Sequence, residues 1–544
     1  MKNIKSDIIG TLLMIVLLVF GDYYFLLPWN IKSKVTWVYV IVCLFIVMIL
    51  KYFLDKFMDK NTAGVILIPI GATIVFFIIM LASSRIFNAS DYSNILKVNE
   101  EADFSKDIVE SVGTESIALM DTNSARMLGD REIGSLSNIV SQYDVASYYR
   151  QIDYLGKPIK VAPLVHSGFF KWMNNYDKGV PGYVSVNPVS MSAEYHELKN
   201  GMIYVPSAYF GQNAERYMHK KYPTELLGGA HFEIDEEGNP YYIASVYDHE
   251  IGLFGGIVVK GSIILNPITG ELSYYDVKDI PRWVDNVFSG DLLCKQYDWY
   301  GKLKNGFWNS IFGQKGCKVV TSYREIEEDE EDVVPDNDFG YISKDGDIWI
   351  YTGVTSVNKD ASNIGFILGN QRTGEVRYYS VNGADEASAM SSAEGEVQEK
   401  GYQASFPSLI NVENVPTYIM VLKDNAGLVK LYAAVNVEQY NIVATATTQK
   451  ACIDKYKSLL NTENIKTPEK ESMEPIAEDE IEITIADKYL IDKDGDTYSY
   501  IISETGEIYH MEKAVADGNE QVLLLKKGDK IIAKFKENII LKYR

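Results

Sequence analysis

Gly261–Tyr275 reads GSIILNPITGELSYY, and Gly365–Tyr379 reads GFILGNQRTGEVRYY. The leading glycine, the asparagine, Thr-Gly-Glu and the closing pair of tyrosines recur at one fixed offset. An earlier stretch, Gly182–Tyr195 (GYVSVNPVSMSAEY), keeps Gly182, Asn187, Pro188 and Tyr195. Self-similarity at this spacing is the first thing to explain in a chain of this length.

A second element precedes each stretch. Gly238-Asn239-Pro240-Tyr241-Tyr242 matches Gly156-Lys157-Pro158 and is echoed by Asn414-Val415-Pro416-Thr417-Tyr418, which leads through Gly427-Leu428-Val429 to Val435–Tyr440. Four related units are therefore expected, near 140–196, 205–280, 340–382 and 384–448, with the fourth the weakest. Within one unit, Phe232–Ile234 reads as a strand, Asp235–Asn239 as its turn, Pro240–Val246 as the returning strand, and Gly261–Leu265 and Leu272–Val277 as a second hairpin around Thr269-Gly270-Glu271. Alternation of large apolar and polar residues gives each strand one buried face. Helices are expected to cover those faces at Asn213–Lys221 and Glu386–Lys400, where Ala387, Met390, Ala393 and Val397 recur at helical spacing. The fold class is thus α+β, built of repeated helix-plus-antiparallel-sheet modules.

This arrangement resembles the PepSY-type module of bacterial envelope proteins, in which a helix precedes a small antiparallel sheet. The carriers are Thr269-Gly270-Glu271, Thr373-Gly374-Glu375 and the helix Glu386–Lys400 leading into Tyr402, and the likeness covers about half of the region beyond residue 88. The run from Asp279-Ile280-Pro281-Arg282-Trp283-Val284 to Gly306-Phe307-Trp308-Asn309-Ser310 is similar to an uncharacterised group of large bacterial membrane proteins. The first resemblance implies a binding or inhibitory role, often toward peptidases. The second implies an envelope location. Neither transfers a functional residue.

Upstream, three apolar stretches (Ile8–Leu27, Thr36–Leu54 and Ala63–Leu81) approach the length needed to cross a hydrocarbon core. They predict a three-helix membrane anchor over 1–87, flanked by Trp29, Trp37 and Tyr39 at interfacial positions. Lys2, Lys5, Lys51, Lys56 and Lys60 fall on one side, and Lys32, Lys34 and Arg85 on the other. The positive-inside rule then places the N-terminus in the cytoplasm and the large C-terminal region outside it. Asp22, beside Tyr23 and Tyr24, reads as an acid near the outer interface rather than an intramembrane site.

The α+β region is expected over 88–460, a polar linker with Pro468 and Pro475 over 461–480, and a small OB- or SH3-like β-barrel over 481–544. The barrel's strands are expected at Ile481–Ile491, Thr497–Ser503, Glu507–Glu512, Gln521–Lys526 and Lys530–Lys536. Asp492–Asp496 lacks the sixth-position glycine and twelfth-position acid of a calcium loop and reads as a hairpin turn. The acidic run Glu325–Asp338 reads as a solvated loop.

The net charge is −22, which argues against a nucleic-acid partner. Cys294, Cys317, Cys452 and Cys43 show no CxxC spacing and read as buried thiols, although Cys294 and Cys317 are near enough in sequence for a bridge. The six histidines (His166, His196, His219, His231, His249 and His510) form no HExxH, and no GxSxG, phosphate-binding loop or dinucleotide fingerprint appears. Seryl chemistry through His231 or His249 has no motif behind it. The aromatic groups Phe169–Met173, Tyr297–Phe307 and Trp349 with Tyr351 read as core. No catalytic, cofactor-binding or metal residues are therefore assigned, and no cofactor. The expected function is a non-enzymatic, membrane-anchored extracytoplasmic binding or scaffold protein of the bacterial envelope, with an envelope protein as partner. The alternatives are a regulator or inhibitor of an extracytoplasmic peptidase, and an enzyme acting on envelope polymers.

Overall fold

The computed structural model describes residues 2–56, 63–100, 102–108, 119–120, 122–321, 340–357, 362–425, 427–462, 480–493, 496–511, 525–536 and 539–543. The acidic run, most of the 461–480 linker and the expected strand start at Gln521 lie outside these residues. The chain divides into two compact units, Met1–Ile465 and Lys466–Arg544.

Three N-terminal helices open the first unit: α1 (Lys2–Phe25), α2 (Lys34–Lys56) and α3 (Ala63–Ala82). Asp7–Phe25 and Lys34–Phe53 are long and apolar enough to cross a membrane, and Leu67–Ala82 is a shorter apolar helix among the described residues. Their outward faces are apolar; Val16, Val19 and Phe77 are all more than half exposed. A helix apolar all round that is not buried in its own protein has no stable home in water. α1 and α2 cross closely because Gly21 has no side chain. A Cβ there would lie 2.3 Å from the Tyr39 ring, whose hydroxyl donates to Leu17 O at 2.7 Å.

Among the described residues four sheets of five or six strands follow, and all share one wiring. Each has a helix, a short strand, a hairpin whose second strand is long, and two further antiparallel strands. In the first sheet, helix Thr122–Gly134 precedes Tyr143–Val145, Arg150–Tyr154, Lys157–His166, Val180–Asn187 and Ser192–Met202. In the second, Ala214–Lys221 precedes Leu226–Leu227, His231–Ile234, Pro240–Ile251, Gly255–Leu265 and Leu272–Asp276. In the third, Gly290–Leu303 precedes Lys318–Val320, Gly340–Lys344, Asp347–Ser356, Gly365–Asn370 and Val376–Tyr379, and Val98–Asn99 adds a parallel edge. In the fourth, Glu386–Glu396 precedes Gln403–Ala404, Ser408–Val412, Val415–Lys423, Val429–Asn436 and Val443–Ala446. In every sheet the long strand pairs with both earlier strands along one edge and with the fourth strand along the other.

The shared asparagine explains the shared turn. Asn266 Oδ1 accepts from the backbone of Ile268 and Thr269 at 3.0 and 3.1 Å. Asn370 accepts from Arg372 and Thr373, both at 2.9 Å. Asn187 and Asn436 make the same two bonds to the residues two and three positions on. A side chain thus satisfies the amides that the turn leaves unpaired. The leading glycine has a different task. A Cβ on Gly182, Gly261 or Gly365 would stand 2.2, 2.2 or 2.5 Å from the carbonyl of His196, Tyr275 or Tyr379. The ring of Tyr195, Tyr274 or Tyr378 lies over the bare backbone at each place, covering it as aromatic residues cover strand glycines elsewhere.

The first and second sheets close on one core containing Tyr149, Ile152, Tyr183, Phe232, Tyr242 and Leu265. The third and fourth close on another, with Trp349, Tyr351, Phe366, Tyr418 and Val435. Trp349 and Tyr351 are therefore core residues sharing one face. Helix Glu386–Glu396 differs from its expected register. Its inner positions are Glu386, Ala389 and Ala393, while Ala387 faces out. The reason is polar: the buried Glu386 carboxylate accepts from Gly353 N at 2.6 Å and Thr321 Oγ1 at 2.9 Å, which turns that residue inward. Asn461, expected in a linker, belongs to helix Gln449–Thr462.

In the C-terminal unit, strands Glu480–Lys493, Asp496–Ser503, Ile508–Met511, Lys530–Lys536 and Ile539–Tyr543 pair in closed order. Ile483, Ile485, Ile501, Tyr509 and Ile531 fill the interior. The last strand, Ile539–Tyr543, is one that the turn signals do not reveal.

Candidate functional site

Ser185 Oγ lies 2.7 Å from His196 Nε2, a spacing that suits a nucleophile and its base. The pair joins two neighbouring strands, the His196 ring stacks on Tyr183 at 4.8 Å, and among the described residues no carboxylate bonds to His196. A base without an orienting partner lacks half of the catalytic arrangement. His166 and His249 are both held below the usual imidazole range, chiefly by burial; His166 is pushed down to about 4. Among the described residues no group of three or more His, Cys, Asp or Glu side chains is placed to hold a metal ion.

One dense polar cluster does form, where the first three sheets meet. Glu233 is fully buried in strand His231–Ile234. Its carboxylate lies 3.0 Å from His231 Nε2 and accepts from Asp285 N at 2.9 Å, Asn286 N at 2.9 Å and Asn286 Nδ2 at 3.0 Å. Asp285 Oδ2 in turn accepts from Asp153 N of the first sheet at 2.6 Å, and Ser343 of the third sheet donates to the Asp153 carboxylate. Burial, and next the Glu233 charge, push the Asp285 carboxyl well above the ordinary range. Burial holds the His231 imidazole low despite its bond to Glu233. Asp347 completes the rim, with Arg372 at 2.6 and 2.8 Å. The cluster clasps the connector 280–289, which also bonds to Gln371 through Val287 N and Phe288 N. The Glu233 carboxylate is thus tied to backbone amides and side chains of its neighbours, whereas Asp285 Oδ1 is buried without a hydrogen-bond partner.

A second contact region joins the apolar helices to the second sheet. Asp22, near the end of α1, accepts from Trp29 Nε1 at 2.7 Å and lies 3.2 Å from His219 Nε2 in helix Ala214–Lys221. The Arg216 guanidinium sits 4.3 Å from the Tyr23 ring centroid. Trp29 N donates to Pro223 O, and Asn30 Nδ2 to Thr224 O. Lys32 Nζ lies 2.7 Å from both Asp248 Oδ1 and His249 O. Burial raises the Asp248 carboxyl, but the Lys32 ammonium and the His249 N–H outweigh it and hold it below the usual range.

An apolar contact comes from the tip of the hairpin Pro240–Leu265. Phe254 is 3% exposed and packs between Trp37 of α2 and Phe76 of α3, with ring centroids 6.2 and 5.4 Å away. Ser83 lies against Gly252 and Gly255, where a Cβ would meet it at 2.4 Å in each case. Phe76 is six residues before the end of α3, so the tip reaches about 9 Å along the helices at 1.5 Å per residue.

In the sequence alone Asp22 falls near an interface and has no visible partner. Alternation ends the returning strand at Val246, whereas it runs on to Ile251 and turns through Gly252-Leu253-Phe254-Gly255. An apolar pair between glycines at a hairpin tip, where polar residues are the norm, was the available signal. The expectation that Phe169–Met173 is core is corrected. Trp172 is buried, but Phe170 is 72% exposed, because the seven-residue helix Phe169–Asn175 offers too narrow a face to bury its neighbours.

No family model matches the chain, and no curated protein does. Among solved structures, the cobalt-substituted ACO of Synechocystis is similar at 10% identity over 56% of this chain, with a TM-score of 0.16. The chain spans 65% of that structure's length. A likeness at this level carries no argument about fold or function.

Proposed function

We propose that this protein is a membrane-anchored binding or scaffold protein of the bacterial envelope. α1, α2 and α3 form its anchor, and four copies of one PepSY-like module lie outside the cytoplasm. The observation that carries this reading is the seam between helices and second sheet. Lys32 with Asp248, Asp22 with His219, and Phe254 between Trp37 and Phe76 hold the module directly on the helix ends, so the module is presented in a set orientation rather than on a loose tether. The four contacts around the buried Glu233 carboxylate support a structural rather than catalytic role for that acid. The C-terminal five-stranded unit, read as an OB- or SH3-like barrel, serves as a further binding module. The partner is another envelope protein.

The test is cross-linking in native membranes with an affinity tag after Arg544, combined with protease treatment of intact cells. The expected result is a tag cleaved from outside and one envelope protein recovered in stoichiometric amount. A tag protected until the membrane is broken overturns the orientation. Recovery of no stoichiometric partner overturns the scaffold role.

A further inference from the structure

Two ridges of exposed aromatic and aliphatic side chains flank the helix ends. The first comprises Phe169, Phe170 and Phe210, at 36%, 72% and 55% exposure, with Phe169 5.6 Å from Phe170 and 6.4 Å from Phe210 between ring centroids. The second comprises Trp308, Ile311 and Phe312, at 64%, 52% and 78% exposure, with Trp308 stacked on Phe312 at 5.8 Å. Exposed groups of this kind mark a contact surface.

The first ridge is linked to the apolar helices through one residue, and the second through a short chain of packed residues. Arg216, which stacks on Tyr23 of α1, also donates to Phe210 O at 3.4 Å. Phe307, next to Trp308, packs against the buried cluster that holds Tyr92 and Trp299, and the Tyr92 hydroxyl donates to Ser83 O at 2.8 Å, one residue past α3. Phe210 further holds a positive φ of 54°, a backbone strain that a bulky side chain adopts only where the surroundings impose it. Charge agrees with the placement. The whole chain carries −22, yet residues 302–318 contain no acid and four lysines, of which Lys302 pairs with Asp298 and Lys304 with Glu100. Aromatic rings beside basic residues are the composition of a membrane–water interface.

We infer that these two ridges bind the phospholipid interface of the same bilayer that holds α1–α3, seating the α+β region flat on the membrane surface. This inference rests on the anchor reading, so the experiment separates the two. Single cysteines replace Phe170, Phe312, Val16 of α1, and Leu155 in full-length protein reconstituted into phospholipid vesicles, and each is spin-labelled. The native thiols are all buried and stay unlabelled. Leu155 is 64% exposed at the hairpin turn beside Gly238, the far end of the strand pair whose tip grips the helices, about 40 Å away at 3.3 Å per residue.

The expected result is oxygen accessibility several-fold above that of a water-soluble nickel chelate at 16, 170 and 312, with the ratio reversed at 155. A water-like ratio at Val16→Cys overturns the anchor itself. A lipid-like ratio at 16 with a water-like ratio at Phe170→Cys or Phe312→Cys leaves the anchor standing and overturns lipid binding by that ridge, as expected if a protein or a second copy of the chain covers it. Brominated lipid provides a label-free check. It should quench a fluorescence component that Trp308→Phe removes, and equal quenching in both proteins overturns the second ridge.

Discussion

Asp22 of the first apolar helix and His219 of the second sheet's helix meet at 3.2 Å across 197 residues of chain. With Trp29 sharing the Asp22 carboxylate, this contact joins the helix bundle to the module that follows it. It converts an acid near the end of an apolar helix into a docking point.

Phe254 supplies apolar contact at that seam, against Trp37 and Phe76. Truncating a buried phenylalanine costs about 3–5 kcal/mol. Phe254→Ala is expected to release the hairpin tip, seen as faster amide hydrogen exchange across 246–260 in detergent-solubilised protein. Exchange in the fourth sheet should stay unchanged. Uniformly faster exchange would mean that Phe254 stabilises the whole unit rather than the docking.

Asn266→Ala removes two side-chain bonds to turn amides and should destabilise the unit by about 1–2 kcal/mol. Asn266→Asp retains both acceptors and should recover most of that loss. Denaturant midpoints for the two variants make the comparison, and equal losses would refute the turn assignment.

Two glycines should respond in opposite directions. Gly261→Ala forces a methyl against the Tyr275 carbonyl and is expected to cost about 1–3 kcal/mol. Gly395→Ala, in the last turn of helix Glu386–Glu396 with nothing within 4 Å, should gain about 0.5 kcal/mol from reduced backbone freedom. Thermal unfolding of both variants checks the contrast.

Asp285 sets a pH dependence. Its folded-state pKa is raised by burial and by the Glu233 charge, so the folded protein holds a proton that the unfolded chain gives up at about pH 4. Stability from this group is full below that pH and falls as pH rises toward the folded value. Asp285→Asn removes this loss. The difference in melting temperature, variant minus parent, should therefore grow from pH 4 to pH 8, and a constant difference would contradict the assignment.

All four cysteines are free and buried, and burial pushes the Cys452 thiol up to about 12. A maleimide at pH 7 should label none of them in the folded protein within minutes and all four in denaturant without reductant. Two unreactive thiols in denaturant would reveal a Cys294–Cys317 bridge.

The apolar helices and the hairpin turns were legible in the sequence because each depends on neighbours in the chain. A run of apolar residues sets a helix's solubility on its own. An asparagine followed by a glycine four positions on closes a turn with bonds two and three residues away. The third unit's helix, Gly290–Leu303, was hidden within an aromatic run because most of its residues are buried, so it has little polar face to betray its period.

What the sequence by itself determined is the local chemistry: the apolar stretches, the repeated turns, and the glycines that admit a tyrosine ring. Only the tertiary structure decided the rest. The pairing of first with second and third with fourth sheets, the bonding of Glu233 to the connector at Asp285 and Asn286, the grip of Phe254 on Trp37 and Phe76, and the outward turn of Phe170 all depend on surfaces brought together from distant parts of the chain. An exposed phenylalanine and a buried one obey the same local preferences, and an acid on a strand reads alike whether it meets water or four donors. The environment that distinguishes them exists only after the sheets have packed.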